Sequence, residues 1–189
     1  NRIMDLPADS VLNDLFSLFP PDSYLQEYRF LPPDQVPPPY HQLLVHEHHM
    51  TVAVEAHHGD LVDVRVLETR IQGEAYARKI LLSLKKTGQV VQFGLVRIHL
   101  NYVDPEVRAE ILSERTPLGR ILIQHNVLRR IEPTGYVGAT PGPDLMQWFG
   151  LDRPLPTYGR TALIHCDGQP AVELLEIVAL ETVVSTRRG

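Results

Sequence analysis

Two ionisable residues occupy positions where an isolated charge is costly. Within the apolar run at 171–184, Glu176 shares a face with Val172, Leu174, Val178 and Leu180, because side chains on a strand alternate with period two. Within the run at 75–84, Arg78 shares a face with Tyr76, Ile80, Leu82 and Leu84 by the same parity. An unpaired ion in such a row costs several kcal/mol. Two charges of opposite sign therefore either pair with each other or face a polar pocket inside the fold. A structural salt bridge, or a charge at a sheet edge, is the plain alternative to a functional role.

Other residues with chemical potential are weaker candidates. His46-Glu47-His48-His49 begins like a zinc-protease helix, but the position that should carry the second histidine is Met50. His57-His58 follows shortly before Gly59, and no carboxylate-rich partner segment completes a set of ligands. A solvated polar run is the expectation, with no metal bound; a metal hydrolase built on residues 46–58 is the competing reading. His165 and Cys166 are strand neighbours, which point to opposite faces, so they make a poor nucleophilic pair. The glycines from Gly135 to Gly142 lack the lysine of a phosphate loop and the GxGxxG order of a dinucleotide site. Arg129-Arg130 and Arg187-Arg188 are short basic pairs without a nucleic-acid motif around them.

The elements that must position these residues follow from local signals. Residues 10–19 carry a helical apolar stripe, stopped by Pro20-Pro21. Pro32-Pro33 and Pro37-Pro38-Pro39 then bracket a stretch read as an extended arm, so residues 1–40 are expected as a helix and arm lying on a domain formed by residues 41–189. Residues 41–59 fit a strand or a helix. Strands at 61–71, 75–84 and 90–100 joined by short turns make an antiparallel meander. Asp104-Pro105 and Thr116-Pro117 each open a helix. A strand at 127–131 ends at Glu132-Pro133, a loose section contains a short helix at 144–149, and a hairpin turning at Asp167-Gly168 closes the chain. The expected fold is α+β: one antiparallel sheet of about six strands flanked by helices. The 189 residues, 43% of them hydrophobic, suffice for a sizeable core, and no run is long and apolar enough for a membrane span. A single cysteine excludes an intrachain disulfide framework, and a net charge of -5 argues against nucleic acid as partner. With no basic, apolar leader, the expectation is a soluble, cytoplasmic protein.

These landmarks resemble the chorismate pyruvate-lyase-like family. Met50-Thr51, Glu55 and Gly59 are similar to its M-T-x3-E-x3-G segment, which is helical there and favours helix for the ambiguous stretch. Arg78 in ARKILL resembles its R-E-I-L-L run, and 116–120 its T-P-L-G-R. Arg130 falls where the family has an arginine after the same helix. Tyr158-Gly159-Arg160 and Gly168-Gln169-Pro170 resemble W-G-R and G-K-P, and Glu176 lies near the catalytic glutamate. The likeness spans about residues 44–180. It departs at Gly94-Leu95, where the family's best-known enzymes have an arginine after the glycine. The approach to Glu176 is one residue longer, so Glu173 stays a candidate, and the proline-rich arm has no counterpart.

The resemblance implies a lyase that eliminates pyruvate from chorismate to leave 4-hydroxybenzoate or an isomer. Arg78 would hold the ring carboxylate bidentately, and Arg130 is the candidate for the second carboxylate. Met50 and Leu118 would shape the pocket. Glu176, its pKa raised by apolar surroundings, would donate the proton. Aromatisation drives the elimination, so no cofactor is expected. The alternative is a non-catalytic domain of the same fold that binds a small aromatic carboxylate, since the fold also resembles the effector-sensing half of a class of bacterial repressors.

Overall fold

The structure is a computed structural model in which residues 7–179 are described. The amino-terminal stripe folds as α1 (Pro7–Leu18) and buries Val11, Leu12 and Leu15, with Phe19 just beyond it. β1 (Leu25–Leu31) follows, then α2 (Tyr40–Leu44) and α3 (Met50–His58). The meander is β2 (Val62–Gln72), β3 (Ala75–Leu84) and β4 (Val90–His99). Beyond it come α4 (Pro105–Ser113), α5 (Leu118–Gln124), β5 (Arg129–Pro141), α6 (Pro143–Phe149), β6 (Thr157–Cys166) and β7 (Gln169–Val178). All strands pair antiparallel in one sheet of order β1-β5-β6-β7-β4-β3-β2.

The α+β expectation holds, with seven strands among the described residues in place of about six. The additional strand, β1, lies in the stretch read as an extended arm. Its central residues are exposed and it pairs on one side only, with β5, so it shows no apolar alternation. β5 runs straight through Glu132-Pro133, where a strand end was expected. β1 pairs with β5 only from Tyr136 to Pro141, so Pro133 faces no partner on that side, and a register shift between Pro133 and Gly135 absorbs the ring. Proline is tolerated at such an edge because no ladder hydrogen bond is lost.

Residues 41–59 resolve as two helices. Gly59 ends α3 at φ 65°, its amide donating to the Glu55 carbonyl at 2.9 Å, a left-handed cap that a side chain would strain. The closing hairpin turns on Asp167 and Gly168 with φ of 50° and 79°, the mirror-image turn that the right-handed twist of paired strands favours. β7 ends at Val178; Leu180, the rest of the strand expected to reach residue 184, and Arg187-Arg188 lie outside the described residues.

Both faces of the sheet are covered, so β3, β4 and β7 read as nearly continuous apolar runs. Ala77, Leu81, Phe93, Leu95, Leu175 and Ile177 pack against α1 and α6. The opposite face meets α4 and α5 through Val96, Ile98 and Leu174, and α2 and α3 through Ile80 and Leu82. Arg78 and Glu176 project from this second face.

Gly159 sits in β6 opposite Ile177 of β7. A Cβ there would fall on the Glu176 carbonyl oxygen and lie 3.0 Å from Ile177 Cγ1. Gly159→Ala should cost about 1–3 kcal/mol or more, as overpacking of a rigid site does. A lowered urea midpoint at unchanged slope is the expected readout, and an unchanged midpoint would show that the β6–β7 contact is looser than described.

Candidate functional site

The register of β6 on β7 sets Arg160 directly opposite Glu176. Arg160 Nε donates to Glu176 Oε2 at 3.1 Å, Nη1 to the His46 carbonyl at 2.8 Å and Nη2 to the His48 carbonyl at 2.7 Å. Arg160 is 1% exposed and Glu176 9%, so this is a buried pair. Burial pushes the Glu176 carboxyl above the usual carboxylate range, and Arg160 pulls it back. Because the arginine also grips the segment between α2 and α3, the pair determines where α3 begins.

α3 and α5 close over the second face of the sheet. The Glu55 carboxylate accepts from Arg120 and from the Val62 amide, the latter at 2.9 Å, joining α3, α5 and the start of β2. A Cβ at Gly119 would lie 3.0 Å from Thr51 Oγ1 and 3.1 Å from His49 Cβ, so glycine lets the two helix starts meet. The family-like segments at 50–59 and 116–120 are thus joined to each other.

Beneath them is a cavity of about 40 Å³, room for a few waters at roughly 10–15 Å³ each. Arg78, Glu176, Met50 and Leu118 line it together with His49 and Gln92. Four of the five residues singled out from sequence therefore converge. Arg78 is 1% exposed, and its Nε and Nη1 have no hydrogen-bond partner. Burial lowers its pKa, while Tyr76 and Glu114 nearby oppose the shift. The Tyr76 hydroxyl is already engaged, donating to Glu114 Oε1 at 2.7 Å. Arg78 and Glu176 share the cavity without pairing; the partner of Glu176 is Arg160.

Arg130 does not reach the cavity. Its side chain is 66% exposed, 3.6 Å from Glu132, and borders a separate surface groove. Alternation on β5 turns its neighbour inward instead: Arg129 Nε donates to His49 Nε2 at 2.7 Å. Glu173 lies on the other face of the sheet, 2.7 Å from Arg97, which also contacts Asp14 of α1. The solvated run expected at 46–49 is only partly solvated, because the turn into α3 buries His49. Among the described residues no group of three or more His, Cys, Asp or Glu is arranged to hold a metal. Cys166 is buried, and desolvation raises its pKa to about 11. His49, Gln92 and Arg160 were missed as site residues. Parity would have found the last two, since Gln92 shares a face with Gly94 and Val96, and Arg160 with Ala162 and Ile164.

No family model matches the chain, and no curated protein does. Solved structures are similar. PhnF from Mycobacterium smegmatis superposes with a TM-score of 0.53 at 13% identity, over 74% of this chain and 70% of that one. The effector domain of the same protein gives 0.50 at 12% identity, over 70% and 88%. The ligand-binding domain of a protein described as a GntR-family transcriptional regulator from Bordetella bronchiseptica gives 0.49 at 14%, over 64% and 86%. The first two establish the fold, the chorismate lyase-like α+β architecture. The expectation of an enzyme, and with it of a lyase that releases pyruvate from chorismate, is corrected here: the solved structures that share the fold are PhnF and its effector domain. At Glu176, one carboxylate oxygen accepts from Arg160. No helix among the described residues is long and apolar enough to cross a membrane.

His49 supplies a pH signature. Burial first, then the cations Arg129 and Arg160, depress its pKa to about 4, and accepting from Arg129 requires the neutral ring. The unfolded chain, near 6.5, binds this proton more readily, so stability should fall as pH drops from 6.5 towards 4. The slope approaches 1.4 kcal/mol per pH unit. Glu176, with its raised pKa, acts in the opposite sense, favouring the fold at low pH. Urea titrations across this range should show a shallower acid loss in His49→Gln than in the parent; identical slopes would refute the assignment.

Proposed function

We propose that this chain is a small-molecule-binding domain that takes an aromatic carboxylate without converting it. The observation that carries this reading is Arg78, a buried cation with two nitrogens unpartnered among the described residues, in a mostly apolar cavity that His49, Gln92 and Glu176 also line. A buried charge without a counter-ion is unfavourable by several kcal/mol, and a bound carboxylate offsets that through charge-assisted hydrogen bonds. Met50 and Thr51, at the first turn of α3, line the same space. The first amides of a helix have no intrahelical partner and favour negative charge, which adds to the pull of Arg78.

The walls suit a ring. Ile80, Val96 and Leu174 face the cavity from the sheet, with Met50 and Leu118 above. At about 40 Å³ the space is too small for a benzoate as it stands, so entry requires side chains to yield. Met50, unbranched and flexible, is suited to that adjustment. Glu176, held by Arg160, contributes wall and hydrogen-bond acceptor, and Arg130 plays no part in holding the carboxylate. The likeness to the PhnF effector domain supports binding over turnover.

Calorimetry with benzoate, 4-hydroxybenzoate and neutral benzamide tests the reading. The acids should bind and benzamide should not. Arg78→Leu should weaken acid binding by at least about 30-fold, the scale of roughly 2 kcal/mol or more for a lost buried charged contact. The same variant should fold at least as stably as the parent, because it removes a buried charge that has no counter-ion. Unchanged acid affinity in folded Arg78→Leu would overturn the proposal.

A further inference from the structure

Gln92 is a second unsatisfied group in the same cavity. It is 3% exposed, its Oε1 has no hydrogen-bond partner, and it lines the space with Arg78. A buried amide carbonyl left unpaired loses about 1–3 kcal/mol of solvation, so its retention on an otherwise apolar row of β4 calls for a partner. The pairing of β3 with β4 defines its position. Arg78 lies opposite Val96, Ile80 opposite Gly94, and Leu82 opposite Gln92. The two polar residues are therefore separated by four residues along the sheet, about 13 Å between backbones at ~3.3 Å per residue. Ile80 and Gly94 lie between them.

We propose that Gln92 reads a hydroxyl at the end of the ligand remote from its carboxylate, making the preferred ligand a hydroxylated aromatic acid. This rests on the binding role of Arg78 argued above. A hydroxyl is the group that fits an amide best, because it both donates to the carbonyl and accepts from the NH2, whichever way the amide is turned. The cavity would then carry an anion receptor at one end, an apolar middle, and a neutral hydrogen-bonding receptor at the other. A hydrocarbon at the second end would leave the amide unpaired, which is how polar sites reject analogues lacking the group they bind.

The test is calorimetric titration of the chain with 4-hydroxybenzoate, benzoate and 4-methylbenzoate, the last matching the hydroxyl in size. The parent should prefer 4-hydroxybenzoate over 4-methylbenzoate by about tenfold or more, the equivalent of one satisfied buried hydrogen bond. Gln92→Leu should abolish or reverse that preference while keeping benzoate affinity within a few-fold. Gln92→Met repeats the test with an unbranched side chain should the leucine variant fail to fold. If the parent binds all three acids alike, as it would were an internal water to satisfy Gln92, or if the preference survives both substitutions, the role of Gln92 is overturned and the Arg78 reading stands. If the parent binds none of the acids, the binding reading itself fails, and this inference with it.

Discussion

The ion pair between Arg160 and Glu176 is the contact on which the rest of the site depends. Removing one member of a buried pair strands the other charge, at a cost of about 3–5 kcal/mol, and here the arginine does more than neutralise a carboxylate. Its remaining donors hold the carbonyls of His46 and His48, so a strand residue near the middle of the sheet dictates the path of the segment that leads into α3. α3 in turn meets α5 through Gly119 and is tied to α5 and β2 through Glu55 and Arg120. The roof of the cavity is thus tied to the sheet by Arg160 as well as by its apolar contacts.

That arrangement also sets the cavity's electrostatics. Glu176 is matched to Arg160 rather than to Arg78, and the carboxylate that acts on Arg78 is Glu114, which is bonded to the Tyr76 hydroxyl. His49 stays uncharged beside Arg129 and Arg160, and α3 directs its first turn inward. The same fold can host a catalyst or a receptor, so architecture does not decide between them. What the structure adds is how the groups are partnered: Glu176 is bonded to Arg160, while Arg78 Nε and Nη1 and Gln92 Oε1 have no hydrogen-bond partner among the described residues.

Much of the scaffold was legible locally. The helical stripe of α1, the three-stranded meander, the proline-opened helices α4 and α5 and the Asp-Gly hairpin each announce themselves within about ten residues. β1 and the continuation of β5 past Pro133 did not. Their pairing is one-sided over much of its length, and an edge strand tolerates proline and exposed charge that a central strand would not. Within the site, parity alone placed Arg78 and Glu176 on apolar faces, which the observed burial bears out. Parity could not choose between Arg129 and Arg130, because the strand between them was read as ending nearby and its inward face was undefined.

The sequence by itself determined which residues face inward on β3 and β7, where the chain makes most of its turns, and that two opposite charges lie in apolar rows. These are consequences of period-two alternation and turn chemistry, which act between near neighbours. Tertiary structure decided the partners. Arg160 stands opposite Glu176 because β6 pairs with β7 in that register, and Arg78 is left facing a cavity because β4 intervenes between β3 and β7. Register and strand order arise from contacts between residues far apart in the chain, and a buried charge is satisfied by whichever group those contacts bring within reach. That is why Glu176 lies against Arg160, while Arg78 faces the cavity without pairing with it.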